Sequence, residues 1–230
     1  MKITSISDRA LVRLIPATYH KPPSLRGLVD SDDEMQILAE IEGLTSARLT
    51  AERGRNLHLD SRELAWLRRK HDLRIYGNSH INAAFTYTRE GGNRFNDETR
   101  GAWYSSWDSL TSVAEVAFHK TRELGYIGRF EETSRYIELL ADFIGDFPDL
   151  TDEPGHPALD PEPAIGYGQG QALAENLRRE GWSGLIYPSV RCPGGRCLVA
   201  FEPAIIQNVR PGASWDIRWQ GSEHYSVSAV

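Results

Sequence analysis

The chain has 230 residues, 40% of them hydrophobic and 25% charged, with a formal net charge of −6. That length carries one large domain, or one domain with an appendage, and enough apolar residues for a packed core. The acidic balance and the lack of a basic block argue against nucleic-acid binding, and no apolar run nears the roughly 20 residues of a membrane helix. The first residues, Met1 to Arg13, are polar and lack the apolar stretch of a secretory signal, so a cytoplasmic protein is expected. Cys192 and Cys197 bracket a Pro-Gly-Gly-Arg turn. A metal knuckle needs a second pair of ligands, so the two are read as reduced cysteines at a hairpin.

Leu11 to Ile15 reads as a short strand. Ser31-Asp-Asp-Glu34 reads as a helix start, followed at helical spacing by Met35, Leu38, Ile41 and Leu44. Asp60-Ser-Arg-Glu63 resembles a capping box ahead of Leu64, Leu67 and a basic run, Arg68 to Lys70, whose cations suit the end of a helix. Residues 1–72 are therefore expected to form a helical extension without obvious chemistry, and residues 73–230 the working domain.

From Leu73 the chain becomes richer in strand signals. Arg74-Ile-Tyr76 and Ala102 to Ser105 read as strands, and Leu110 to Leu124 as a helix burying Val113, Ala114, Ala117 and Phe118. Tyr136 to Leu140 reads equally as strand or helix. Asp149 to Pro163 is acidic, Pro-containing and loop-like, and Gly166 to Gly170 reads as a Gly-rich loop. Gln171 to Arg179 follows as a short amphipathic helix. Gly184 to Ser189 and Leu198 to Phe201 make a hairpin across the Pro-Gly-Gly-Arg turn. The expected class is α+β, a compact mixed sheet with flanking helices.

Chemistry concentrates between Gly91 and Glu115. Gly91-Gly92-Asn93-Arg94-Phe95-Asn96 places a fixed cation on a Gly-rich turn, Trp103-Tyr104-Ser105 places a ring on a short strand, and Glu115 lies near the start of an apolar helix. Arg can clamp a phosphate, Tyr can stack on a flat ring, and a carboxylate can offset positive charge growing on a sugar. Each residue also has an ordinary reading. Arg94 can be a surface charge, Tyr104 a core ring, and Ser112-Val-Ala-Glu115 is itself a capping box. Glu115 and His119 share a helix face, but the two-histidine zincin pattern is absent and no metal site is expected.

The order Gly-Gly-Asn-Arg94-Phe-Asn, Trp-Tyr104-Ser-Ser, Ala-Glu115-Val, Tyr187-Pro-Ser189-Val-Arg191 and Leu-Val-Ala-Phe201 resembles the RES-domain family, over roughly Leu73 to Asn208. These are toxins of toxin–antitoxin pairs, named for Arg, Glu and Ser. The resemblance implies an ADP-ribosyltransferase-like fold, NAD as the consumed substrate, and an antitoxin partner carrying an Xre-type helix-turn-helix domain. It makes Glu115, Tyr104 and Arg94 the catalytic candidates. Arg74, His80, Gln171, Tyr187, Ser189 and Arg191 become further NAD-binding candidates. Spacing favours Arg74 over Arg13 as the early arginine of the pattern. The family often has Gly where this chain has Asn93, a residue that tolerates positive φ. Transfer of ADP-ribose to a cellular protein is the expected outcome. NAD hydrolysis or phosphorolysis is the alternative, and a non-enzymatic partner-binding module the alternative of another class.

Overall fold

The computed structural model describes residues 1–20, 31, 33–34, 37–38, 41, 45–64 and 76–230. Its centre is a mixed seven-stranded sheet of β1 (Lys2–Pro16), β2 (Trp103–Ser106), β3 (Glu131–Asp149), β4 (Gly184–Pro188), β5 (Arg196–Ala200), β6 (Gln207–Gln220) and β7 (Tyr225–Ala229). Their order is β1-β2-β5-β4-β3-β6-β7, and an added β1–β3 pairing closes the first five strands into a ring. Among the described residues, helices α1 (Ala47–Glu52), α2 (Asn78–Thr86), α3 (Ser109–Ile127) and α4 (Pro163–Arg179) flank the sheet. The α+β class expected from the sequence is the observed one.

The long β3 organises the sheet. It pairs antiparallel with β1 from Pro16↔Tyr136 to Lys2↔Asp149, antiparallel with β6, and parallel with β4 at Asp149↔Ile186. Tertiary pairing thus settles Tyr136 to Leu140 as strand, which the short apolar run alone leaves open. Leu139, Ala141 and Phe143 alternate onto one face and are fully buried, as period-two patterning requires.

Helix α3 begins at an Asp108 cap whose carboxylate accepts from Thr111 N at 2.8 Å. Val113, Ala117 and Leu124 pack on Leu14, Ile217 and Trp219 of β1 and β6. The buried Glu138 on β3 fastens the helix start. It accepts from the Ser109 hydroxyl at 2.6 Å, from the Trp215 indole at 2.8 Å and from Ala213 N at 2.8 Å.

Three sequence expectations need correction. The strand at Leu11–Ile15 extends over Lys2–Pro16 and belongs to the sheet, so that part of residues 1–72 is not a helical appendage. Asp60 opens a turn rather than a helix, with Arg62 N and Glu63 N bonding to Asp60, and Leu64 closes over the core. Gly166 to Gly170 is no loop but part of α4, which starts at Pro163, eight residues before Gln171. Proline at the first helical turn and the Glu162 cap outweigh three intervening glycines. At Ser31 the expected start is present, with Glu34 N donating to Ser31 Oγ at 3.2 Å and Ser31 N to the Glu34 carboxylate at 3.3 Å. Met35, Leu44, Leu67, Arg68 to Lys70 and Arg74 lie outside the described residues.

Candidate active site

A cleft of about 720 Å³ opens between α3, the turn ahead of β2 and the β4–β5 hairpin. Arg13 enters it from β1, Arg94 from the turn, Tyr104 from β2, Glu115 and His119 from α3, Tyr167 from α4, and Tyr187 and Arg191 from the hairpin.

Glu115 does not serve as a helix cap. Asp108 holds that role, and Ser112 instead donates to the Val12 carbonyl at 2.7 Å. The Glu115 carboxylate is left to face the cleft, where Ser189 Oγ donates to its Oε1 at 2.6 Å. Ser189 is oriented in turn by Arg191 N at 3.1 Å and Cys192 N at 3.0 Å, both donating to its hydroxyl. Burial raises the Glu115 carboxyl above its ordinary value, while the Ser189 hydroxyl and the charges of Arg191 and Arg94 oppose that rise.

The Arg94 turn is built for close approach. Positive φ falls on Gly91 and Gly92, both at 70°, so Asn93 is not asked to supply it. Asn93 N donates to the Asn96 carbonyl at 2.8 Å and its amide to Asn96 Oδ1 at 3.2 Å. Arg94 is buried, its Nη1 donating to the carbonyls of Ala158 at 2.7 Å and Asp160 at 2.8 Å. Its guanidinium lies 5.5 Å from the Tyr167 ring centroid. Helix α4 reaches this close because Gly166 and Gly170 share one face. A Cβ at Gly170 would overlap the Arg94 carbonyl oxygen, and one at Gly166 the Asp160 carbonyl. Gln171 finishes the contact by donating to the Gly91 and Asn93 carbonyls at 2.9 and 3.0 Å. It secures the turn from outside and does not line the cleft.

Tyr104 ties the turn to the sheet. Its hydroxyl accepts from Phe95 N at 3.0 Å and donates to Asn96 Oδ1 at 2.9 Å, and burial pushes the phenol far up. Tyr187 is buried with its ring 4.7 Å from that of Phe95, edge to face. Arg191 donates to the Pro161 carbonyl at 2.6 Å and lies 3.3 Å from the Phe118 ring centroid.

The structure therefore gathers Arg94, Tyr104, Glu115, Tyr187 and Arg191 around one cleft, with Ser189 bonded to Glu115. His80 is not brought there. It sits on α2, stacked on His20 at 6.5 Å and beside Tyr76 at 5.8 Å, in a ring cluster of its own. Arg74 lies outside the described residues, and Arg13 occupies the cleft. Arg13 lies 4.9 Å from the Trp103 ring centroid and donates to the Tyr104 carbonyl at 3.3 Å. Burial pushes its guanidinium down to about 10. Only long-range pairing of β1 with β2 and β3 could reveal it. Sequence alone does not single out Arg89 and His119 for binding either. The i, i+4 spacing of Glu115 and His119 was the available signal.

A family model described as the RES domain matches residues 45–220. The chain belongs to the RES-domain family. RES domains are associated with NAD-using enzymatic toxins, which typically pair with an antitoxin. The RES match starts after β1, yet β1 completes both the sheet and the cleft wall through Arg13. A search of curated proteins found no match. Among the described residues no helix is long and apolar enough to cross a membrane.

Proposed function

We propose that this RES-domain protein cleaves the nicotinamide–ribose bond of NAD and passes ADP-ribose to a side chain of a cellular protein, arresting growth. The observation that carries the reading is the Ser189–Glu115 hydrogen bond inside a cleft lined by arginines. Departure of nicotinamide leaves an oxocarbenium-like ribose, and a fixed, desolvated carboxylate stabilises that charge as it develops. Glu115 fills this role and also accepts from a ribose hydroxyl. Ser189 keeps its carboxylate turned into the cleft and favours the ionised form.

Tyr104 presents its ring to nicotinamide, since its hydroxyl is committed to the Arg94 turn. Arg94, Arg191 and Arg13 supply positive potential for the anionic part of the dinucleotide, with Tyr187 backing the ring side. The chemistry asks for no metal. The acceptor approaches past Tyr19 and Tyr87, two exposed rings at the cleft lining. An antitoxin carrying an Xre-type helix-turn-helix domain is the proposed partner, supplying the DNA contact this acidic chain lacks.

The test is incubation with NAD, with and without cell lysate, followed by product identification. A protein gaining the mass of ADP-ribose supports transfer. Free ADP-ribose or its phosphate ester, with no labelled protein, makes hydrolysis or phosphorolysis the outcome instead. Unchanged NAD leaves a partner-binding module.

A further inference from the structure

Two cleft residues remain unused by that reading. Arg89, on the loop after α2, and His119, on α3, both line the cleft, and their side chains meet with Arg89 Nη1 3.3 Å from His119 Nδ1. A guanidinium only donates, so Nδ1 is the acceptor and the proton of the neutral imidazole sits on Nε2. Arg89 has no carboxylate partner among the described residues and keeps its remaining N–H groups free. The pair thus offers a full positive charge and one neutral donor.

Its place along α3 gives it a meaning. His119 follows Glu115 by four residues on the same face, about 6 Å further along the helix axis. In a dinucleotide, the ribose ring and one methylene separate the anomeric carbon from the nearer phosphorus, a comparable span. With the reacting ribose at Glu115, the diphosphate arrives at the next turn of the helix. Arg94 is poorly placed to reach it, because its Nη1 is spent on the Ala158 and Asp160 carbonyls.

We propose that Arg89 and His119 form the diphosphate clamp of the cleft, a pair of dinucleotide-binding residues additional to Arg94 and Arg191. The inference rests on the NAD reading above. His119 binds as a neutral donor. The guanidinium groups of Arg89, Arg122, Arg191 and Arg94 act on it, with Lys120 next to it in sequence and Glu115 and Glu123 one turn to either side on its own helix. Burial and those arginines push the imidazole down to about 3. An uncharged imidazole in a cationic cleft donates to a phosphate oxygen without adding to the self-repulsion of the empty site.

Calorimetric titration of ADP-ribose and, separately, of nicotinamide into the wild-type chain, Arg89→Gln and His119→Asn tests the clamp, alongside steady-state NAD cleavage. Both variants should weaken ADP-ribose binding about tenfold or more, the scale of one charge-assisted hydrogen bond. They should raise KM by a similar factor, leave kcat within about threefold and leave nicotinamide binding unchanged. Arg89 is exposed, so its variant keeps the test valid even where His119→Asn folds poorly. Wild-type affinity for ADP-ribose should stay flat between pH 6 and 8, where an ordinary histidine titrates. Arg89→Gln binding ADP-ribose as tightly as wild type overturns the clamp alone. A wild-type chain that neither binds ADP-ribose nor cleaves NAD overturns the NAD reading and the clamp with it.

Discussion

The Ser189 hydroxyl donates to Glu115 Oε1 at 2.6 Å while two backbone N–H groups, of Arg191 and Cys192, donate to Ser189 Oγ itself. The carboxylate is thereby fixed by a residue 74 positions away rather than by its own helix. A group held this way needs no reorganisation when charge develops beside it. Glu115→Gln keeps the shape and removes the charge. NAD cleavage should fall by about 10²- to 10³-fold, the scale of losing one preorganised electrostatic partner. Thermal unfolding of the variant should match wild type within about 1 kcal/mol, since burial disfavours the charged form.

Ser189→Ala should move the acid limb of the pH–rate profile. Burial already raises the Glu115 carboxyl, and the Ser189 hydrogen bond is first among the influences that lower it. Removing that bond raises the carboxyl further, so activity should fail at a higher pH than in wild type. Rate measurements between pH 4 and 8 read the shift. A limb that stays put or moves to lower pH contradicts the role given to Ser189.

The two glycine faces of α4 make opposite predictions. Gly170→Ala places a methyl against the Arg94 carbonyl oxygen and should displace the turn, costing about 1–3 kcal/mol of stability and most of the activity. Gly168→Ala meets nothing within 4 Å on the exposed side of the same helix, and should stabilise by about 1 kcal/mol with activity unchanged. Chemical denaturation of both variants, with NAD assays, checks the pair.

Much of this was legible in the sequence, and the losses have physical causes. Arg94, Tyr104 and Glu115 fall within two dozen residues, and each is set by local turn, strand or helix signals. The hairpin carrying Tyr187 and Ser189 is equally local. The role of Gly166 and Gly170 was not legible, because glycines inside a helix look like a loop until a partner backbone is known to press on them. Gln171 reads from sequence as a donor to either ligand or backbone, and its partners, the Gly91 and Asn93 carbonyls, lie about 80 residues away. In sequence His80 lies between two arginines, but the fold turns it toward His20 and Tyr76. Spacing favours Arg74 over Arg13, because nothing local says that β1 lies beside β2.

Arg13 is half-buried with no carboxylate partner among the described residues, so its charge is costly in the empty cleft. Arg13→Gln should leave thermal stability equal or higher while raising KM for NAD about tenfold. Lower stability with unchanged KM would make Arg13 a structural residue.

Tyr104→Phe separates ring from hydroxyl. It leaves the stacking surface and removes two hydrogen bonds, to Phe95 N and Asn96 Oδ1. Stability should drop by about 1–3 kcal/mol, with catalysis reduced less than in Tyr104→Ala. Equal catalytic loss in the two variants would place the chemistry on the hydroxyl instead.

The most direct test of the central claim is nicotinamide release from NAD by the purified chain, measured side by side for wild type and Glu115→Gln. The account predicts release by wild type and loss by at least about 10²-fold in the variant, both proteins being folded. Intact NAD in the presence of folded wild type, or equal release by the variant, would contradict it.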